Sequence, residues 1–173
     1  MDLTNTIEKC EAIENFPLNK TCCDIIKENC HIIFDMVIDQ MSKGISGDGT
    51  QSTTLKSFIR KDRHGNQVIA SGYSTKYEKA TIKLKLGKAG LAGETEFITN
   101  YGTGELYEKI AVYCDESEGF FEIYSDSESY EKRLTFAPED FMALTEENCL
   151  IFSESILIPE LNEMFFKYLS NYI

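Results

Sequence analysis

The chain of 173 residues has no tryptophan, three prolines and two histidines. Each shortage excludes something. A membrane span needs about 20 consecutive apolar residues, and the longest apolar runs here are short, such as the one from Ile156 to Ile158. His31 and His64 offer little for imidazole acid–base chemistry or for a structural zinc site. The start Met1-Asp2-Leu3-Thr4 has no basic region followed by an apolar run, so no secretory signal is expected. Gly-x-Ser-x-Gly, His-Glu-x-x-His and Walker sequences are all missing. The reading is of a protein that is not an enzyme, with no catalytic residues, no cofactor and no metal.

The six cysteines, at 10, 22, 23, 30, 114 and 149, include no Cys-x-x-Cys pair. Without a signal peptide they read as reduced thiols, and Cys23 and Cys30 as small core residues on one helix face. Asp35 and Asp39 are i, i+4 neighbours and read as a solvated helix face. Asp126-Ser127-Glu128 resembles a divalent-metal loop only loosely, with too few fixed carboxylates for calcium.

Basic charge is scarce and unevenly placed. The net charge is −12, which repels phosphates from most of the surface and argues against sequence-specific nucleic-acid binding. Yet residues 56–88 hold nine of the 17 Lys and Arg, and two of the 29 Asp and Glu, a local net of +7. Residues 89–173 carry four basic and 18 acidic side chains, net −14.

Hydrophobic periodicity implies a single α+β domain over 1–173, with N-terminal helices and a C-terminal helix packed on a small antiparallel sheet. Residues 4–16 read as a short helix capped by Thr4 or Asn5 and broken at Pro17. A longer helix is expected from Thr21 to Lys43, with Gly44 as its C-cap. Its stripes are Ile25, Ile26, Ile33, Met36, Val37 and Gln40, and beside them Cys23, Cys30, Phe34, Ile38 and Met41. Gly44 to Thr50 is a turn. Leu55–Arg60 and Gln67–Ser71 are β-prone and predict a protruding basic hairpin or arm over 52–72. Tyr73 to Leu86 carries both patterns: Tyr73, Tyr77, Ala80 and Leu84 fit a helix, while Ala80 to Leu86 alternates like a strand. The segment is read as helix at its start with its end left open, and Gly87 to Gly93 is a glycine-rich loop. Lys109–Cys114 and Phe120–Ser125 flank an acidic turn and predict a hairpin, joined by Thr95–Asn100 as a third strand. Pro138 opens a short helix through Leu144. Thr145 caps the last helix, which Pro159 should kink or split.

Several segments read together as an ordered set. They are Asp39-Gln40-Met41-Ser42-Lys43-Gly44, Gly47-Asp48-Gly49, Gly72-Tyr73-Ser74-Thr75-Lys76-Tyr77-Glu78-Lys79, Asn100-Tyr101-Gly102-Thr103-Gly104-Glu105-Leu106-Tyr107, Leu144-Thr145-Glu146-Glu147-Asn148 and Ile158-Pro159-Glu160-Leu161. The order resembles small virion proteins of phages and prophages of Bacteroidota-type hosts. More distantly it is similar to the tail-completion and head–tail joining proteins of long-tailed phages. The likeness covers roughly residues 24–165, and Ser52–Ser71 departs from it as an insertion. Independently of the family, Gly102, Thr103 and Gly104 form a structural turn, with glycine freedom for positive φ and a hydroxyl for local backbone.

The resemblance implies a structural subunit of a tailed-phage virion, acting at the head–tail connection or in tail completion. Its location would be the virion, or the host cytoplasm during assembly. Its partners would be copies of itself in a ring, and neck, tail or portal proteins. The charge split assigns the assembly interface to Lys56, Arg60, Lys61, Arg63, Lys76 and Lys79, meeting an acidic neighbour head to tail. The acidity also fits an alternative, a binding inhibitor such as an immunity protein or a nucleic-acid mimic that neutralises a basic partner.

Overall fold

In the computed structural model, residues 3–61, 66–77, 79–96, 98–101, 104–135 and 141–172 are described. The chain is α+β. It divides into two compact units, one of Met1–Ile33, Val112–Glu122 and Glu147–Ile173, the other of Phe34–Ala111 and Ile123–Glu146.

In the first unit, helix α1 spans Leu3–Glu14 and α2 spans Leu18–Glu28. Thr4 and Asn5 therefore lie inside α1 and not at its cap. The long helix expected over 21–43 is two helices, because α3 starts afresh at Cys30 and runs to Ser42. The break is Asn29, whose φ of −103° and ψ of 15° leave the helical range. Its side-chain Nδ2 donates to Ile25 O at 3.0 Å and to the Glu160 carboxylate at 3.1 and 3.3 Å. A side chain that bonds the preceding turn and a distant carboxylate competes with helix continuation. Phe16, just before Pro17, stands edge-on to Phe165 and Tyr168 with centroids 5.0 and 5.3 Å away. Cys23, Ile25, Ile26 and Ile33 are buried, as is Phe152.

The C-terminal helix begins at Glu146, directly after Thr145, as α7 (Glu146–Phe152). Its regular α-helical pattern is interrupted just before Pro159. A π-helical turn over Ser153–Leu157 leads into α8 (Ile158–Leu169), with Pro159 in its first turn. The widened turn relieves the clash between the proline ring and the preceding carbonyl, and the absent N–H is not needed at that position.

The two predicted hairpins both form, each as a separate two-stranded sheet. β1 (Thr54–Lys61) and β2 (Gln67–Ser74) pair antiparallel from Thr54–Ser74 to Lys61–Gln67. Tyr73 and Ser74 are therefore strand, not the start of a helix. The helix comes later, as α4 (Lys79–Lys85), in the part of 73–86 where the sequence pattern left the choice open. β3 (Ile110–Asp115) and β4 (Phe120–Ser125) flank the acidic turn. In that turn Asp115 Oδ1 accepts from Ser117 N, Ser117 Oγ and Glu118 N at 2.9, 2.6 and 3.0 Å. These bonds, the Ser117 hydroxyl first, hold its carboxyl below the usual range. The expected third strand is not there: the described residues of 95–100 carry no strand. Thr99 spends its backbone N–H and C=O on the Tyr77 and Tyr107 side chains, and Asn100 adopts φ of +58°, which a strand excludes. The helix expected from Pro138 falls partly outside the described residues, and its described end, 141–144, is turn and bend.

In the second unit α3 ends as a Schellman motif. Gly44, at φ of 70°, donates to Met41 O, and Ile45 N donates to Gln40 O, both at 3.0 Å. Gln40 sits in the apolar stripe, 4% exposed. Its Nε2 donates to Ala143 O and its Oε1 accepts from Thr145 N, each at 3.0 Å. Val37, Met41, Phe141 and Met142 are buried in the same unit. The 3₁₀ turn Gly90–Gly93, α5 (Glu105–Glu108) and α6 (Glu128–Leu134) complete it. Ser127, set beside the Asp126–Glu128 acids, is the N-cap of α6, its Oγ accepting from Tyr130 N at 3.1 Å.

Replacing Gln40 with alanine removes two buried hydrogen bonds to backbone. Urea unfolding of Gln40→Ala should show a loss of about 2–4 kcal/mol, and an unchanged midpoint would refute the bridging role.

Candidate functional site

Helix α4 inverts the pattern its sequence suggests. In Lys83-Leu84-Lys85-Leu86 the leucines are 73% and 66% exposed, while Lys85 is 6% exposed. The Lys85 ammonium donates to Leu91 O at 3.1 Å, Ala92 O at 3.3 Å and Tyr101 O at 3.0 Å. It also stands 5.0 Å from the centre of the Tyr77 ring. Among the described residues no carboxylate lies within ion-pair distance of it. Burial lowers its pKa, Lys88 adds to the shift and Glu94 opposes it.

The glycine-rich loop is shaped by this contact. A Cβ at Gly93 would lie 2.1 Å from Lys88 O, so only glycine fits there. Beyond it, Thr99 is fully buried and ties the wall together. Its N–H donates to Tyr77 Oη at 3.0 Å, Tyr101 N donates to its Oγ1 at 3.2 Å, and its carbonyl accepts from Tyr107 Oη. Burial pushes the Tyr107 phenol upward, so it stays protonated. Tyr101 meets Tyr107 edge-on at 5.1 Å.

Around these residues lies a cleft of about 390 Å³, walled by Tyr77, Tyr101, Thr81 and Leu84, with Lys85, Lys88, Asn100 and Arg133 supplying its polar groups. Arg133 donates from Nη2 to Thr53 O at 3.0 Å and lies 5.7 Å from the Phe141 ring. Burial draws its pKa down to about 10, so it is charged at neutral pH. Asn100 is the one described non-glycine residue with positive φ. Its Oδ1 and Nδ2 are buried with no hydrogen-bond partner, a cost of about 1–3 kcal/mol for each unpaired group.

The residues predicted as an interface stand elsewhere. In the β1–β2 register, Lys56 is opposite Gly72, Arg60 opposite Val68 and Lys61 opposite Gln67. Lys76 and Lys79 are exposed. Arg63 lies outside the described residues, as do Gly102 and Thr103. Gly104, at φ of 95°, makes the sharp entry to α5. A Cβ there would meet Tyr101 Oη at 2.8 Å. Leu106 and Tyr107 are buried and anchor this turn. Sequence reasoning missed Lys85 and Arg133, because no motif marks a lysine that turns inward. The one signal was the conflict in residues 80–86 between helix and strand periodicity.

Other candidates are ordinary on inspection. His31 is exposed, and Asp39 pairs with Lys43 at 2.6 Å on the α3 surface. Burial pushes the Cys114 thiol up to about 12, and Cys23 adds to the shift, so it is protonated at neutral pH and a poor nucleophile. Among the described residues no group of three or more His, Cys, Asp or Glu is placed to hold a metal, and no helix is long and apolar enough to cross a membrane. Comparison with protein-family models, curated proteins and solved structures finds no match to this chain.

Lys85→Met removes the donor to three carbonyls and should lower unfolding free energy by about 2–4 kcal/mol. Its folded pKa lies below the unfolded value of 10.5, so between the two the unfolded chain holds more protons. Wild-type stability should therefore gain from this group as pH rises through that interval. Urea midpoints of wild type and Lys85→Met at pH 7 and pH 10 check both points. An equal pH response in the two proteins would remove Lys85 as the source.

Proposed function

We propose that this chain is a non-enzymatic assembly subunit, acting in the head–tail connection or tail completion of a tailed-phage virion. It associates through the basic segment 56–88. The observation that carries the assembly role is the apolar surface within that segment. Leu84 on α4 and Leu86 in the turn after it, and Ile69 and Tyr73 on β2, are 73%, 66%, 80% and 61% exposed. A monomer gains nothing from these side chains, whereas covering a leucine yields about 1.5–3 kcal/mol. Apolar surface set among like charges favours an acidic partner with an apolar centre. A second copy supplies the acid, since residues 89–173 carry net −14. Contacts of this head-to-tail kind close into rings when the rotation allows. The virion assignment is supported by the ordered sequence motifs alone.

Reversing Lys56, Arg60, Lys61 and Arg63 to glutamate should weaken self-association and particle incorporation at least about tenfold, as should raising salt. Light scattering after size exclusion, together with complementation of particle assembly, measures both. Wild-type assembly by the reversed variant would sink the reading. A stable monomer that forms a tight one-to-one complex with a basic protein would replace it with the inhibitor alternative.

A further inference from the structure

We infer that the cleft beside α4 binds a small organic anion, a carboxylate or phosphate carried on a flat apolar body. Its walls and its charge point the same way. Among the described residues that line it, Lys85, Lys88 and Arg133 are cationic and none is anionic, in a protein of net charge −12. Lys85 is bound only by neutral carbonyls and a ring face among the described residues. Its charge is therefore held by dipoles, with no carboxylate within ion-pair distance among the described residues, an expensive state for a buried cation. An anion placed in the cleft offsets it without disturbing those bonds. Lys88, exposed at the end of the same turn, is available for direct contact.

The apolar part of the ligand is set by Tyr77, Tyr101 and Leu84. Two tyrosines and a leucine in the lining suit a planar apolar ring, and about 390 Å³ admits one or two rings with a head group. Asn100 adds a latent contact. Its amide lies buried and unpartnered, next in sequence to Tyr101, whose carbonyl Lys85 holds. Rotation of that amide into the cleft gives it a partner when the ligand is present.

Titration calorimetry with phenyl phosphate, benzoate, benzamide and inorganic phosphate tests the inference. Phenyl phosphate or benzoate should bind saturably below about 10 mM. Neutral benzamide and bare phosphate should bind at least about tenfold more weakly. The preferred aromatic anion separates a phosphate ligand from a carboxylate one. Lys88→Glu, on an exposed residue, should weaken binding about tenfold without unfolding the protein. Asn100→Asp should weaken it as much while raising the melting temperature, since its carboxylate supplies the neutralising charge internally. No saturable binding of either aromatic anion would overturn the proposal. Equal affinity for benzamide, or affinity unchanged in both variants, would do the same.

Discussion

The organisation of the 79–101 segment depends on one buried ammonium. Lys85 gathers the carbonyls of Leu91, Ala92 and Tyr101, groups that sit on both sides of a loop and would otherwise need other donors. Satisfying them from a single side chain closes the loop on the helix. It also fixes the rotation of α4, because turning Lys85 inward turns Leu84 outward. Gly93 then serves geometry, since the loop admits no Cβ there. A buried charge is tolerated when its hydrogens are used and its neighbours are polarizable. Here three carbonyls and the Tyr77 ring meet that condition.

Thr99 and Gln40 apply the same logic with neutral groups. Each is a buried polar residue whose side chain bonds two partners across a loop. Neither adds much net stability per bond. Both make alternative packings expensive, because a slipped loop would leave donors and acceptors unpaired out of reach of water. The exposed Lys–Asp and Lys–Glu pairs along the helices, such as Lys20–Asp24 and Lys109–Glu105, contribute little by comparison. Specificity in the second unit thus comes from buried polar contacts.

Where one face of an element repeats its apolar residues, the sequence was a good guide. The Gln40-bearing stripe of α3, the Gly44 cap, the two hairpins and the helix start after Thr145 were all legible from local pattern. The break at Asn29 was not, because it depends on Glu160, 131 positions away. The third strand failed for a related reason, since Thr99 is claimed by two tyrosines that local pattern does not bring near it. Of the candidate site, Gly104 and the basic character of 56–88 were readable. The cleft was not.

The sequence by itself determined the α+β class, the hairpin positions, the net charge of −12 and the +7 segment. Those follow from residue periodicity and from charge counts, which need no partner in space. Only the tertiary structure decided that Lys85 faces inward and Leu84 outward. That choice depends on where three carbonyls from a later part of the chain come to rest, and a buried cation is stable only where such acceptors have already converged.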